Sequence, residues 1–249
     1  MKRNALLLFL SLFCSLEIYS QSGEKVDYNI WNSLLSMYVN INGLVDYNSL
    51  DKSEPELDKF LEILSTTKID NTWSNNDKMA YWINVYNAFT IKLVLKNYPI
   101  DSIKDLSNPW GKEFFKINGV LMSLGHVEHK ILRKFNDPRI HFAINCASLS
   151  CPRIIRIPYK GKNVDRLLER QTLEYLNNKK VNIITDDTYQ LSKLFSWFKK
   201  DFKLEEQSLI DFVNKYSEIK ISNQKNKGFL KYDWKLNSTY VRKKIIRNP

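Results

Sequence analysis

Glycine and proline are scarce in this chain, with 7 residues of each among 249. This scarcity excludes collagen-like and low-complexity chains. Only 3 cysteines are present, which excludes a small fold built on many disulfides. After the N-terminal segment, no stretch is long and apolar enough for a transmembrane helix, which needs about 20 such residues. The 43% hydrophobic and 13% aromatic residues are enough for a globular protein with a large buried core.

The N-terminal segment has the features of a secretory signal peptide. Lys2 and Arg3 precede an apolar run over residues 5–16, and small and polar residues follow it. A charged start, a short apolar stretch and a small-residue exit are typical of such a peptide. The sequence therefore predicts a signal peptide over residues 1–20 and a periplasmic or secreted mature protein. An uncleaved membrane anchor is the alternative.

The chain is strongly basic, with 38 lysine and arginine residues against 27 acidic ones and a net charge of +11 at pH 7. Outside the cytosol, a basic surface favours anionic envelope components or cell-wall peptides as partners, and we expect no nucleic-acid partner there. The alternative is a lysine-rich surface that is only solvated. The basic cluster at residues 242–244 is expected to be a solvated chain end.

Hydrophobic spacing predicts a helix-rich protein with short β-hairpins. The longest predicted helix covers residues 75–97, begins at a Ser74 cap and is apolar on most sides, which indicates a central core helix. Asn118 and Gly119 form a favoured two-residue hairpin turn. The other predicted helices cover residues 28–39, 55–64, 123–135, 164–176, 194–202 and 209–216, and the predicted strands cover 114–117, 120–122, 139–145, 181–184, 189–191 and 229–236. Without repeats or flexible linkers, we predict a single α+β domain over residues 25–249 with a small antiparallel sheet.

One segment concentrates the chemically reactive side chains. Residues 123–152 hold all 3 histidines and both cysteines that follow the signal segment. On the predicted helix, Glu128 faces partly inward, where a carboxylate needs a partner, and we expect Arg133 or Arg139 to pair with it. Cys146 follows the end of the predicted strand, where the chain turns. The crowding of thiol, imidazole and carboxylate groups is the reason to expect a site here.

Motifs in this segment, in the long helix before it and further along the chain lie at residues 82–88 (WINVYNA), 119, 123–124, 128–129, 132–133, 137–148, 150–152, 197–198 and 201–202. With these residues, the chain resembles the domain of unknown function 547 (DUF547) family. The resemblance covers about residues 79–202, and together with the signal segment it is similar to a secreted bacterial member. The combined spacing of these motifs is specific to the family. The family name declares no established activity, so the resemblance implies membership rather than a reaction.

Three interpretations of residues 123–152 stay open. In the first, Cys146 and Cys151 form a disulfide that staples a binding or scaffold module. In the second, Cys146 is the nucleophile of a cysteine-dependent hydrolase or acyltransferase acting on a peptide or amide, with backbone N–H groups of the turn holding the oxyanion. A cysteine-protease-like or transglutaminase-like fold would suit it by analogy. In the third, the histidines and cysteines bind zinc, although His126 stands where the family usually has an acidic or amide residue.

Within the catalytic interpretation, the residues have separate expected roles. His129 ranks ahead of His141 as the base, because His141 starts on the opposite strand face from Cys146. The predicted catalytic set is Cys146, His129, His141 and Glu128. The predicted binding set is Asn84, Asn87, Arg139 and Asn145. No metal and no cofactor are predicted.

Three further side chains outside this segment have expected roles. The amides of Asn84 and Asn87 lie on an apolar helix, so we expect them to be buried and hydrogen-bonded to the segment that holds Glu128 and Cys146. Asp201 is expected to be a helix cap or a salt-bridge residue rather than a member of the pocket.

Overall fold

The computed structural model describes residues 25–204, 206–222 and 226–240. The predicted signal peptide and the basic cluster at 242–244 lie outside the described residues. The α-helices are α1 (Asn29–Tyr38), α2 (Tyr47–Leu50), α3 (Glu54–Thr66), α4 (Asn75–Leu95), α5 (Leu124–His126), α6 (Val164–Leu176), α7 (Lys193–Trp197) and α8 (Leu209–Tyr216). Short 3-10 helices lie at Asp51–Ser53, Ile103–Asp105, Leu132–Phe135, Pro138–Phe142 and Asp201–Lys203. A π-helix covers Val127–Ile131.

The strands form two small sheets. β1 (Phe115–Ile117) and β2 (Val120–Met122) are antiparallel, and the backbone of Asn118 and Gly119 between them has positive φ, as the predicted hairpin turn requires. β3 (Ile183–Ile184) pairs antiparallel with β4 (Thr188–Leu191), which pairs in parallel with β5 (Asn226–Phe229). The fold is therefore helix-rich α+β, as predicted, although the last strand ends where it was expected to begin.

The central helix is α4. The side chain of Ser74 accepts a hydrogen bond from the backbone of Asp77, whose carboxylate accepts from the backbone of Ser74, which is the expected capping box. Nearly every face of α4 is buried, and Tyr81 donates to the Leu64 carbonyl of α3 at 2.6 Å. Among the described helices, none combines the length and the apolar character that crossing a membrane requires.

The hydrophobic core has two parts. The larger surrounds α4, and the smaller is rich in phenylalanine, including Phe142, Phe195, Phe202 and Phe212. The 3-10 helix Pro138–Phe142 joins them, because its Ile140 packs in the larger cluster and its Phe142 in the smaller. Burial on both sides fixes the start of the loop that carries Cys146.

Two predictions for this region are wrong. The single helix expected over residues 123–135 is divided into α5, the π-helix and a 3-10 segment. The strand expected over residues 139–145 is the 3-10 helix Pro138–Phe142, with Asp137 as its cap. Pro138 has a fixed φ that suits the first turn of a helix, and a short apolar alternation does not separate a strand from such a turn.

Candidate active site

A cavity of about 290 Å³ lies beside the loop over residues 145–152. Both cysteines, Glu128, His129 and His141 line it, so the structure brings together all four residues of the predicted catalytic set. The rest of the wall is mostly aromatic and apolar: Tyr86, Trp110, Ile144, Leu194, Trp197, Phe198, Tyr232 and Trp234. The cavity therefore offers one reactive edge and an apolar wall.

Amide side chains hold the cysteine loop in place. Asn145 donates from Nδ2 to the Pro152 carbonyl at 2.7 Å and so closes the loop. Its own N–H donates to Oδ1 of Asn87 at 2.8 Å. Asn145 Oδ1 accepts from the backbone of Ala147 at 2.8 Å, and Ala147 has a φ of +57°, in the left-handed region. This conformation is costly for alanine, so the loop is tightly specified directly after Cys146.

The sulfur of Cys146 has three hydrogen-bonding side chains around it. The two thiols share a hydrogen bond at 3.0 Å, Ser148 Oγ lies at 3.2 Å, and the Tyr232 hydroxyl lies at 3.4 Å. When Cys146 is ionised, all three can donate to the thiolate, and the backbone N–H of Ser148 donates as well. Donors to the charged form favour it. These hydrogen bonds, with that of Cys151 the largest contribution, lower the pKa of Cys146 to about 7 although burial opposes them.

The predicted disulfide is absent from this structure. Cys146 and Cys151 are both free thiols, and their sulfurs lie 3.0 Å apart, well beyond a bond of about 2.05 Å. Burial and the hydrogen bond with Cys146 raise the pKa of Cys151. The pair is thus asymmetric, with Cys146 as the sulfur that ionises first.

Glu128 is a buried carboxyl group in the same cavity. Burial, and then the negative charge of Cys146, raise its pKa to about 8, against a smaller opposing effect of Arg133. Tyr86 hydrogen-bonds to it. The expected ion pair with Arg133 or Arg139 is not formed, because each arginine is engaged by aspartates. At neutral pH, Glu128 is therefore a neutral acid beside a thiol that ionises.

The histidines belong to a different network from the sulfurs. His141 Nε2 hydrogen-bonds to Asp201 Oδ2 at 2.8 Å, and Arg133 donates twice to the same carboxylate at 2.6 and 2.7 Å. His129 Nδ1 lies 3.4 Å from the Arg133 guanidinium and accepts there, which places its proton on Nε2. Neither histidine hydrogen-bonds to Cys146. The structure therefore gives no support to His129 as the base for this thiol.

The electrostatics of this network explain its protonation. Burial lowers the pKa of His141, although Asp201 opposes the effect, so the buried imidazole is neutral at neutral pH. Burial and the positive charge of Arg133 lower the pKa of His129. Hydrogen bonds from His141 and Arg133 outweigh burial and lower the pKa of Asp201. Asp201 has the salt-bridge role predicted for it, and it also orients a residue of the cavity wall.

The backbone N–H groups of the turn are already used. The N–H of Cys146 donates to Cys151 Sγ at 2.9 Å, and that of Ala147 donates to Asn145. The N–H of Ser148 donates to Cys146. The expected oxyanion site at these groups is therefore not available, whereas the neutral carboxyl of Glu128 is one donor in the cavity wall.

The predicted binding residues lie apart from this cavity. Arg139 is held by Asp137, Asp165 and Glu169 at 2.8, 2.7 and 3.2 Å. Asn145 lines a second, more polar cavity of about 670 Å³ on the other side of the loop, and Cys151 lines both cavities. Arg139, Asn84 and Asn87 line neither cavity.

The two amides of α4 are buried and hydrogen-bonded, but only one serves the cysteine loop. Asn87 Nδ2 donates to the Ala143 carbonyl at 2.9 Å, and its Oδ1 accepts from Asn145. Asn84 instead bonds Trp31 and both backbone groups of Tyr159. The expectation for these amides is therefore correct for Asn87 and wrong for Asn84.

Asn87→Ala is expected to lower the free energy of unfolding by about 1–3 kcal/mol, because it leaves a buried carbonyl and a buried N–H without partners. Asn97→Ala, at an exposed position just after α4, is the matched control and should change it by less than about 0.5 kcal/mol. Urea unfolding of both variants measures the difference. Equal stability of the two variants would show that Asn87 does not hold the loop.

A metal site is not supported. Among the described residues, no group of three or more His, Cys, Asp and Glu side chains is arranged to hold a metal ion. His126 lies outside the cavity that His129 and His141 line.

Several residues of the site could not be found from the sequence. Tyr232 is 86 positions from Cys146, in a segment without regular structure. The aromatic side chains of Trp197, Tyr232 and Trp234 pack together with ring centroids 4.6–5.6 Å apart, and Trp197 stacks on Trp234. Of the side chains around the Cys146 sulfur that were not predicted, only Ser148 could have been found from the sequence, because it lies two positions after Cys146 in the turn.

The fold and the site together define a helix-rich α+β protein with a thiol-containing cavity. The model of the family described as Protein of unknown function, DUF547 matches residues 71–176 and supports membership of that family. The matched range includes α4, Glu128 and the cysteine loop, whereas Asp201 and Tyr232 lie beyond it. Comparisons with curated proteins and with solved structures gave no match.

Proposed function

We propose that the protein is a cysteine-dependent hydrolase or acyltransferase with Cys146 as its nucleophile. The observation that carries the proposal is the surroundings of the Cys146 sulfur, where Cys151, Ser148 and Tyr232 can all donate hydrogen bonds to a thiolate. The thiolate is the reactive form of cysteine, and a pKa of about 7 makes it abundant at neutral pH.

Glu128 completes the chemistry as a general acid and then a base. The Cys146 thiolate attacks the carbonyl carbon of an acyl donor, a C–S bond forms, and the bond to the leaving group breaks. The Glu128 carboxyl group gives its proton to that leaving group. Water or an acceptor amine then attacks the thioester, its proton returns to the Glu128 carboxylate, and the thiolate leaves. A pKa of about 8 for Glu128 keeps it protonated while Cys146 is ionised.

The wall of the cavity favours an acyl donor with an apolar or aromatic group. Trp197 is 49% exposed at the cavity and stacks on Trp234, which leaves an aromatic face open to a ligand. Apolar walls with few polar groups are typical of ligand pockets. A peptide or amide with an aromatic or aliphatic acyl side fits this wall.

A binding module without catalysis is the alternative, and the same aromatic wall favours it. This module would not be stapled as first expected, because the two thiols are free. Location in the periplasm or outside the cell, with anionic envelope components or cell-wall peptides as partners, is part of the proposal. It is supported by the N-terminal sequence pattern and the net charge of +11.

Covalent capture of an acyl group tests the proposal. After brief incubation of the full chain with para-nitrophenyl benzoate at neutral pH and rapid acid quenching, the intact mass should increase by one benzoyl group, located at Cys146 by peptide mapping. Cys146→Ala should carry no adduct, whereas the matched Cys151→Ser variant should keep it. A folded protein that takes up no benzoyl group, or an adduct that persists in Cys146→Ala, would contradict the proposal and favour the binding module.

A further inference from the structure

The pairing of two free thiols is not needed for acyl transfer. A single activated cysteine would be sufficient for that chemistry. Here the sulfurs of Cys146 and Cys151 lie 3.0 Å apart, and formation of a bond of about 2.05 Å requires a movement of only about 1 Å. The two residues belong to one short loop that Asn145 closes on Pro152, so they are held as neighbours.

Both sulfurs can be reached from outside the core. Cys146 and Cys151 are each partly exposed. Cys146 lines the aromatic cavity, and Cys151 lines both that cavity and the polar one on the other side of the loop. A small oxidant can therefore reach Cys146 through the aromatic cavity, with the Cys151 sulfur 3.0 Å away.

We infer that Cys146 is a site of oxidation by a hydroperoxide and that Cys151 resolves the product to a reversible Cys146–Cys151 disulfide. The inference concerns the sulfur of the proposed nucleophile, but the oxidation itself does not depend on acyl transfer. The disulfide removes the nucleophile from the cavity, and a thiol reductant restores it. It differs from a structural staple because the reduced pair is the state in which the loop is already folded.

The oxidation takes place in two steps. In the first, the Cys146 thiolate attacks the outer peroxide oxygen, an S–O bond forms, and the O–O bond breaks. The sulfur is oxidised to a sulfenic acid, and the peroxide is reduced to water or an alcohol after protonation. The Cys151 sulfur then attacks the Cys146 sulfur. The S–S bond forms, the S–O bond breaks, and hydroxide leaves as water with the proton of the Cys151 thiol.

The cavity favours attack on the peroxide because it stabilises the Cys146 thiolate, as a nucleophile also requires. Donors from Ser148 and Tyr232 hold the Cys146 sulfur as a thiolate, which is the form that reacts with peroxides. Cys151, whose pKa is raised, stays a thiol and is poor at reacting with peroxide itself. The order of the steps is therefore set by the asymmetry of the pair.

Mass spectrometry after stoichiometric hydrogen peroxide tests the inference. The full chain is used with Cys14→Ser in every sample, so that only the two loop cysteines are counted. The reduced protein should lose two hydrogen atoms, give one peptide linked between Cys146 and Cys151, and recover its original mass with dithiothreitol. The Cys151→Ser variant should instead accumulate a sulfenic acid that dimedone traps at Cys146, and excess peroxide should carry it to an irreversible sulfinic acid.

Other outcomes overturn the inference. A wild-type protein that goes to the sulfinic acid as readily as Cys151→Ser would show that Cys151 does not resolve. If Cys151 of a Cys146→Ser variant oxidised at the wild-type rate, the sulfur that reacts first with peroxide would be that of Cys151 and not that of Cys146. Because oxidation is read by mass without an acyl donor, its failure is distinguishable from failure of the benzoyl capture.

Discussion

Glu128→Gln is expected to stabilise the protein by on the order of 4 kcal/mol near pH 9 and to change its stability much less near pH 5. Glu128 has a folded-state pKa of about 8, raised from its ordinary value of 4.5 by burial and by the charge of Cys146. One pKa unit corresponds to about 1.4 kcal/mol. Glutamine has the shape of the protonated side chain, and its oxygen can still accept from Tyr86.

The sign of this effect follows from proton linkage. A carboxyl group whose pKa is raised on folding contributes stability that is fully present below its unfolded pKa and is lost as the pH rises through the folded one. The wild-type protein should therefore lose stability from about pH 4.5 to about pH 8 relative to the variant. Urea unfolding of both proteins across this range gives the difference directly.

The matched control is Glu62→Gln, at an exposed position on α3. Its stability relative to the wild type should stay within about 0.5 kcal/mol at every pH. If Glu128→Gln followed the wild-type pH profile instead, the carboxyl of Glu128 would be ionised in the folded protein at neutral pH. The role of this residue as a general acid would then fail.

Removal of the hydrogen bonds to Cys146 should raise the pKa of its thiol. Cys151→Ala deletes the largest of these contributions, so the pKa of Cys146 should rise by at least about one unit and its alkylation at pH 7 should slow about fivefold or more. Tyr232→Phe should have a smaller effect in the same direction. The rate of carbamidomethylation at Cys146, followed by peptide mass spectrometry, is the measurement.

Two matched variants separate this account from a cysteine–histidine pair. Cys151→Ser keeps a hydroxyl donor beside Cys146 and should retain most of the low pKa. His129→Ala should leave it nearly unchanged, because His129 hydrogen-bonds to Arg133 and not to the sulfur. A large loss of reactivity in His129→Ala, with none in Cys151→Ala, would restore the pairing that the sequence alone suggested.

The sequence predicted much of the fold because its signals are local. Residues only a few positions apart determine the Ser74 capping box, the Asn118–Gly119 turn and the apolar face of α6. The strand expected over residues 139–145 failed because Pro138 and the Asp137 cap favour a 3-10 turn over a pattern that also fits a strand. Burial between the two core clusters does not distinguish a strand from a 3-10 helix, because the apolar residues of either can be buried there.

The sequence predicted that certain residues lie close together, but not the contacts that they make. Crowding of reactive residues in one segment correctly placed Cys146, Glu128, His129 and His141 around one cavity. The contacts within the site depend on Tyr232 and Asp201. Both residues come from distant parts of the chain. Sequence spacing carries no information on such contacts, so it could not show that Asp201 holds His141 while Tyr232 serves the thiol.

The central claim is that hydrogen bonds hold Cys146 as a thiolate near neutral pH. The most direct test is the rate of iodoacetamide alkylation at Cys146 of the reduced wild-type protein as a function of pH. The account predicts a rise with a midpoint at about pH 7. A midpoint at or above the free-thiol value of about 8.5 would contradict it, and Cys146 would then be an ordinary thiol in the wall of a binding pocket.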